Sequence, residues 1–142
     1  MNTQREQLIQ TWITSVLGSD QFETHFLAGD ASFRRYARIK LNNKTFMLMD
    51  APPEKEDCGP FVTIDEFFDA HGVRVPHIIA KDLQQGFLLL EDFGDVLLST
   101  LLNEQTVDDY YAQSFKQLIQ LQSIAGEGHF PAYSYEKLIS EM

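Results

Sequence analysis

Residues 86–95 read GFLLLEDFGD, an apolar run that ends abruptly at two acids, a phenylalanine and a glycine. Successive apolar residues bounded by turn-forming residues predict a buried strand that runs into a loop. Taken by themselves, Glu91, Asp92 and Asp95 are explained equally well as solvated side chains or as caps of the next helix. The segments on either side of this strand decide which fold contains it.

The segments around this strand change from mostly strands to helices alone. The predicted order is a helix at 2–17, strands at 22–27, 33–41 and 45–50, a helix from Pro60, strands at 77–82 and 87–91, and helices at 96–102, at 107–124 and from about 135 onward. Asn42-Asn43 predicts a tight turn, because Asn tolerates positive φ. Strands that cluster first, with helices collected afterwards, predict an α+β fold with a mostly antiparallel sheet.

The composition predicts a cytoplasmic protein that does not bind nucleic acid. The formal net charge of −10 argues against nucleic acid, because an acidic surface repels polyphosphate backbones. No apolar run approaches the length of a membrane helix, and the polar first twenty residues do not form a signal peptide. The lone Cys58 fits a reducing compartment. A small anion could still bind where the field is locally reversed.

Positive charge gathers just after a small polar loop in residues 28–40, AGDASFRRYARIK. Gly29, Ala31 and Ser32 are small enough for backbone N–H groups to approach phosphate oxygens, and the Ser32 hydroxyl adds a donor. The loop matches neither a Walker loop nor G-x-G-x-x-G. An ordinary β-turn capped by Asp30 explains the same residues, so both interpretations stay open.

The strand after this loop has one charge on its apolar face. Strict alternation places Arg34, Arg38 and Lys40 on a face that can be solvated, whereas Arg35 shares its face with Ala37 and other apolar residues. A buried, unpaired charge is costly. Arg35 should therefore meet either a carboxylate or a phosphate, and the sequence does not choose between them.

Together these motifs resemble the N-terminal lobe of the aminoglycoside phosphotransferase and choline kinase family, small-molecule kinases with the protein-kinase fold. GDASFRRYARI resembles the nucleotide-positioning loop and second strand, GVRVPHII the entry to the fourth strand, and FLLLEDFGD the fifth strand and hinge. MDAPPEKEDCGPFV and PAYSYEKLISEM are similar to the bacterial cell-wall kinases of this family that act on the anomeric hydroxyl of N-acetylmuramate and N-acetylglucosamine.

The resemblance implies a nucleotide site that uses ATP and Mg²⁺. Its loop over the ATP phosphates would consist of Gly29, Asp30, Ala31 and Ser32. Its hinge, in which main-chain groups bind adenine, would consist of Glu91, Asp92 and Phe93, and Ile39 and Leu90 would be apolar neighbours of the base. The implied domains are 1–92, the nucleotide-binding lobe with its N-terminal helix, and 93–142, the hinge and the start of a helical lobe.

One position departs from the family pattern. Met49, or a neighbour, occupies the third-strand place where many relatives have a phosphate-binding lysine. Phosphate anchoring could then fall to Arg34 or Arg35, or Asp50 could pair with one of them. Glu66 stands where the partner of that lysine is often found, and a solvated helix face explains it equally well.

The residues that perform the family's chemistry are expected beyond residue 142. These are the catalytic Asp, the metal-binding Asn and a later metal-binding Asp, so no catalytic residue and no metal ligand is assigned in 1–142. We expect a fragment of an ATP-dependent amino-sugar kinase, inactive by itself. It should expose apolar residues among Leu118, Leu121, Leu138 and Ile139 and be prone to self-association. The alternative is a non-catalytic nucleotide-binding or protein-interaction module.

Overall fold

The computed structural model describes residues 4–28, 33–124, 130 and 134–140. It contains five strands and five helices within these residues. They are α1 (Gln4–Leu17), β1 (Glu23–Phe26), β2 (Arg35–Leu41), β3 (Lys44–Asp50), α2 (Gly59–Ala70), β4 (Ile78–Asp82), β5 (Phe87–Glu91), α3 (Leu98–Leu101), α4 (Val107–Ser123) and α5 (Tyr135–Ser140). The predicted α+β class and the order of elements are confirmed.

The five strands form one open sheet in the order β1-β2-β3-β5-β4, and every neighbouring pair is antiparallel. The β2–β3 turn has Asn42 at φ +56°, as its sequence predicts. β5 does not follow β3 in the chain but lies between β3 and β4. It is therefore an interior strand, with hydrogen-bonded neighbours on both sides.

Each face of the sheet is covered by one helix. Ile9 and Ile13 of α1 pack with Ala37, Ile39 and other residues of the first core cluster. The second cluster, on the opposite face, joins Val62 of α2 to residues of β3 and β5. Alternation assigns the β5 residues to the two faces in turn, with Phe87 and Leu89 under α1 and Leu88 and Leu90 under α2. An interior strand covered on both faces needs the continuous apolar run that opens GFLLLEDFGD.

The chain divides into two compact units, Met1–Leu101 and Leu102–Met142. The second unit contains α4 and α5. Its apolar side chains Leu118, Leu121, Leu138 and Ile139 are all exposed, by 38–51%. This exposure confirms the expectation for these four residues, and self-association stays a prediction. Among the described residues, no helix combines the length and the apolar character that crossing a bilayer would require.

Candidate functional site

The segment after β5 is held by an arginine from β2. Arg38 donates from Nε to Asp92 Oδ2 at 2.6 Å and from Nη2 to Asp92 Oδ1 at 3.1 Å. The same guanidinium contacts both carboxylate oxygens of Asp95, with an Nη2–Oδ1 distance of 2.9 Å. We refer to Arg38, Asp92 and Asp95 as the hinge clamp. Hydrogen bonding to Arg38 holds the pKa of both carboxyl groups below their usual range.

A second arginine contacts the same segment from the connector before β4. Arg74 donates to both carboxylate oxygens of Glu91, and its guanidinium lies 4.5 Å from the centre of the Phe93 ring. Hydrogen bonding to Arg74 lowers the pKa of Glu91. The acids at the end of β5 are therefore partners of arginines. The interpretation of Asp92 as a solvated side chain is wrong, because its side chain is only 3% exposed, whereas Asp95 is both paired with Arg38 and largely solvated.

A cavity of about 250 Å³ opens beside this segment, on the α2 face of the sheet. It is lined mostly by apolar or aromatic residues, together with the segment at the end of β5: Tyr36, Met47, Phe61, Pro76, Leu90, Glu91, Asp92, Phe93 and Gly94. The Glu91 amide donates to the His77 carbonyl and the Gly94 amide to Asp92 Oδ1. Among the described residues no hydrogen bond engages the Phe93 backbone.

Only one of the two residues predicted beside the base lies on the cavity face. Leu90 lines the cavity. Ile39 is fully buried in the opposite cluster, under α1. The two side chains therefore cannot border one planar ligand, and the expectation for Ile39 is wrong. Its place on the apolar face of β2 was predicted correctly, but that face is the one that α1 covers.

The three arginines of residues 34–40 all meet carboxylates. Arg34 pairs with Glu56 at 2.6 Å, and Arg35 Nε donates to Asp50 Oδ2 at 2.9 Å. Arg38 belongs to the hinge clamp. The requirement that Arg35 meet an acid or a phosphate is thus fulfilled by Asp50, whose side chain is fully buried. Because acids neutralise these arginines, the basic strand does not present the bare positive field that its sequence suggests.

The structure separates the two arginines proposed for phosphate. Arg35 and its partner Asp50 lie on the α1 face, where Arg5 of α1 also bonds Asp50. Arg34 lines a second cavity, of about 350 Å³, along α2. Met49 is fully buried on the α2 face, and the Tyr36 hydroxyl lies 3.4 Å from its sulfur. An apolar core contact thus occupies the position where a lysine was expected.

The phosphate loop itself, Gly29, Asp30, Ala31 and Ser32, lies outside the described residues. Its role stays a prediction, as do nucleotide contacts by Arg34, Arg35 and Met49. Glu66 on α2 pairs with Lys81 of β4 at 2.5 Å, with both side chains about half exposed. Glu66 therefore lies on a solvated face of α2, as one interpretation of the sequence predicted, and it also makes a surface ion pair there.

The neighbouring acid on α2, Asp65, is a candidate that the sequence did not single out. It lines the second cavity and is only 6% exposed. Burial, followed by the nearby acids Asp69 and Glu66, raises its pKa. Its carboxylate makes no hydrogen bond within the described part of the chain. Its spacing does not reveal this burial, because acids next to each other on a helix usually face solvent.

We expect Asp65→Asn to stabilise the protein at neutral pH by about 1 kcal/mol, because an ionised carboxylate loses hydration there without gaining a partner. A raised pKa in the folded state makes the Asp65 contribution most favourable at low pH. The contribution declines as pH rises from the ordinary Asp pKa through the raised value. Urea unfolding at several pH values measures both effects. Glu66→Gln is the matched control and should change little; an Asp65→Asn variant less stable than the wild type at pH 7 would contradict the prediction.

Curated proteins similar to this chain bear a common name. A protein of Pseudomonas aeruginosa named N-acetylmuramate/N-acetylglucosamine kinase is 39% identical over 115 residues, which cover 81% of this chain and 34% of that protein. A Pseudomonas putida protein of the same name is 40% identical over 106 residues, covering 75% of this chain and 31% of that protein. A Neisseria meningitidis protein, also of that name, is 32% identical over 144 residues, covering 98% of this chain and 42% of that protein.

The similarity covers most of this chain but only part of each relative. The chain spans about a third of the length of the two Pseudomonas proteins and 42% of the Neisseria protein. No family model matches the chain. At 32–40% identity these proteins are homologues, so the chain is homologous to part of three proteins named as amino-sugar kinases.

Proposed function

We propose that this chain is the nucleotide-binding part of an ATP-dependent kinase that phosphorylates an amino sugar, with N-acetylmuramate and N-acetylglucosamine as the preferred substrates. The observation that carries the proposal is the identity of 39–40% with kinases of that name over 75–81% of this chain. The α+β unit with its antiparallel sheet supports it. In this proposal Met1–Leu101 corresponds closely to the N-terminal lobe of a kinase-like fold.

Adenine is proposed to bind in the cavity beside β5. Met47 and Leu90 supply apolar contacts for a flat base, and Tyr36 and Phe61 supply aromatic ones. Phe93 lines this cavity, and its backbone N–H and C=O would supply the donor and the acceptor that a base with a hydrogen-bonding edge requires. Since recognition would pass through main-chain groups, the position of the hinge backbone matters more than the identity of the Phe93 side chain.

The phosphates are proposed to lie toward Arg34. This residue immediately precedes β2 and lies two positions after the loop Gly29–Ser32 in the sequence, and it lines the second cavity. The two cavities share the lining residues Phe61 and Pro76 and are therefore adjacent. Arg34 would have to share its charge between Glu56 and a phosphate, which is a common arrangement for a guanidinium with several donors.

Phosphoryl transfer to a hydroxyl also needs Mg²⁺ and a base that orients the acceptor. Among the described residues, no group of three or more His, Cys, Asp or Glu side chains could hold a metal ion. We assign neither the metal nor the base to a described residue of this chain. The residues described here would bind and orient the nucleotide, which accounts for the positioning part of catalysis.

The test is an assay of the complete gene product with ATP, Mg²⁺ and a panel of N-acetylglucosamine, N-acetylmuramate, choline and an aminoglycoside. We expect ATP-dependent ADP release with the two amino sugars and none with choline. A reducing-sugar assay on the product locates the reaction, because an anomeric phosphate abolishes the reducing end. Phosphorylation of none of these acceptors would overturn the proposal, and ATP binding without transfer would favour a non-catalytic nucleotide-binding module.

A further inference from the structure

The hinge clamp joins strands that are not neighbours in the sheet. Arg38 belongs to β2, and its two acids follow β5, so its side chain crosses the intervening strand β3. We propose that Arg38 is a positioning residue that fixes the hinge backbone for adenine, acting through Asp92. This inference rests on the proposed function, since it concerns the same cavity. Arg38 itself does not line that cavity.

The connection from Arg38 to the backbone runs through a single carboxylate oxygen. Asp92 Oδ1 accepts from Arg38 Nη2 at 3.1 Å and from the Gly94 amide at 2.9 Å. Gly94 has φ +78°, so the chain reverses there in a conformation that favours glycine. Phe93 stands between these two residues. Its N–H and C=O are therefore held from both sides by the carboxylate that Arg38 orients.

Burial distinguishes the clamp from the neighbouring ion pair. The side chains of Arg38 and Asp92 are 20% and 3% exposed, whereas those of Arg74 and Glu91 are 55% and 36% exposed. Water competes strongly for the exposed pair and weakly for the buried one. Asp95 is 76% exposed and engages the outer guanidinium nitrogens. With both acids bound, the guanidinium cannot rotate without losing several bonds at once.

The decisive comparison is Arg38→Ala against Lys40→Ala in the complete gene product. Lys40 lies two residues away on the same strand and on the same face of the sheet. It makes no contact with the hinge clamp, so Lys40→Ala removes a positive charge from this face and leaves the clamp intact. We expect Arg38→Ala to raise the KM for ATP by roughly tenfold or more, as misplacement of a positioning group does. The kcat and the KM for the sugar should stay near wild type, because a base contact is uniform binding. Lys40→Ala should change none of the three.

Arg38→Lys tests the clamp without stripping Asp92 of a cation. Lysine keeps the charge but cannot bond two carboxylates through one rigid, planar group. We expect a KM for ATP between those of the wild type and Arg38→Ala. Thermal melts set an assay temperature at which all the variants are folded. A purely structural role would lower the melting temperature and leave the KM for ATP unchanged once the protein is folded.

Titration with a fluorescent, ribose-labelled ATP analogue separates the clamp from the proposed reaction. If the wild type phosphorylates an amino sugar and neither Arg38 variant alters the KM for ATP, the positioning role of Arg38 is overturned while the kinase proposal stands. If the wild type binds the analogue without any transfer, and Arg38→Ala binds it more weakly, the clamp is supported while the kinase proposal is overturned. The positioning role of Arg38 is overturned if the wild type and Arg38→Ala bind the analogue equally well, or if the wild type does not bind it.

Discussion

Gly86→Ala is expected to prevent folding or to lower the free energy of unfolding by more than about 3 kcal/mol, through a backbone clash added to the strain of a positive φ. Gly86 has φ +72°, and a Cβ there would lie 1.9 Å from the carbonyl oxygen of Ala51. The Ala51 amide donates to the Gly86 carbonyl at 2.9 Å. The two segments are thus bound to each other and cannot move apart cheaply.

Gly18→Ala is the matched control for Gly86→Ala. Gly18 has a similar φ of +66° at the end of α1, but a Cβ there would meet nothing within 4 Å. Only backbone strain remains, so we expect a loss of about 1 kcal/mol. Urea unfolding followed by circular dichroism compares the two variants. Equal losses would show that the contact with Ala51 does not limit the turn before β5.

Asp50→Ala should lower the free energy of unfolding by about 3 kcal/mol, because it breaks a buried charge network. The Asp50 side chain is fully buried and accepts from Arg5 at 2.7 Å and from Arg35 at 2.9 Å. Arg5 also donates to the Gln85 carbonyl, so the network of Arg5, Asp50 and Arg35 ties α1 to β2 and to the turn before β5. The arginines are 23% and 44% exposed and can regain some water, which sets the loss near the lower end for such networks.

Single substitutions of the two arginines check that the network acts as a unit. Arg5→Met and Arg35→Met each leave Asp50 with one cation, so each should cost less than Asp50→Ala, about 1–2 kcal/mol. Their double variant should lose more than the sum, because only then is the carboxylate stranded. Glu23→Gln, which removes an exposed contact with His25, should cause no measurable change. A loss below about 1 kcal/mol in Asp50→Ala would contradict the assignment of a structural role.

The sequence was sufficient to predict the helices and strands and to assign the residues of β2 to the two faces of the sheet. It was not sufficient to predict the partners of the charged residues on β2. Alternation placed Arg35 on the apolar face, and the structure provides it with a carboxylate there. The same alternation placed Arg38 on a face that could be solvated. Its partners follow β5, and no local pattern says that β5 inserts next to β3. Non-local strand order therefore hid the hinge clamp.

The strand order, which the sequence does not reveal, also explains why Ile39 was wrongly predicted to border the base. Hydrophobic patterning identifies Ile39 and Leu90 as buried, but it does not tell which helix covers which face. Their separation appears only when the β2–β3–β5 register is known. The contact between Arg5 and Asp50 could not be predicted for a related reason. The rotation of α1 about its axis decides which of its side chains reaches Asp50.

The double coverage of β5 has a consequence for how this protein can vary. On β2, charged side chains that reach solvent alternate with buried ones, so substitutions at alternate positions meet different constraints. On β5, Phe87, Leu88, Leu89 and Leu90 are all buried, alternately in the two cores. Substitutions on either face of β5 therefore disturb a packed core. The strand that leads into the hinge is thus also one that tolerates few substitutions, and we expect sequence differences among relatives to concentrate on the outer strands.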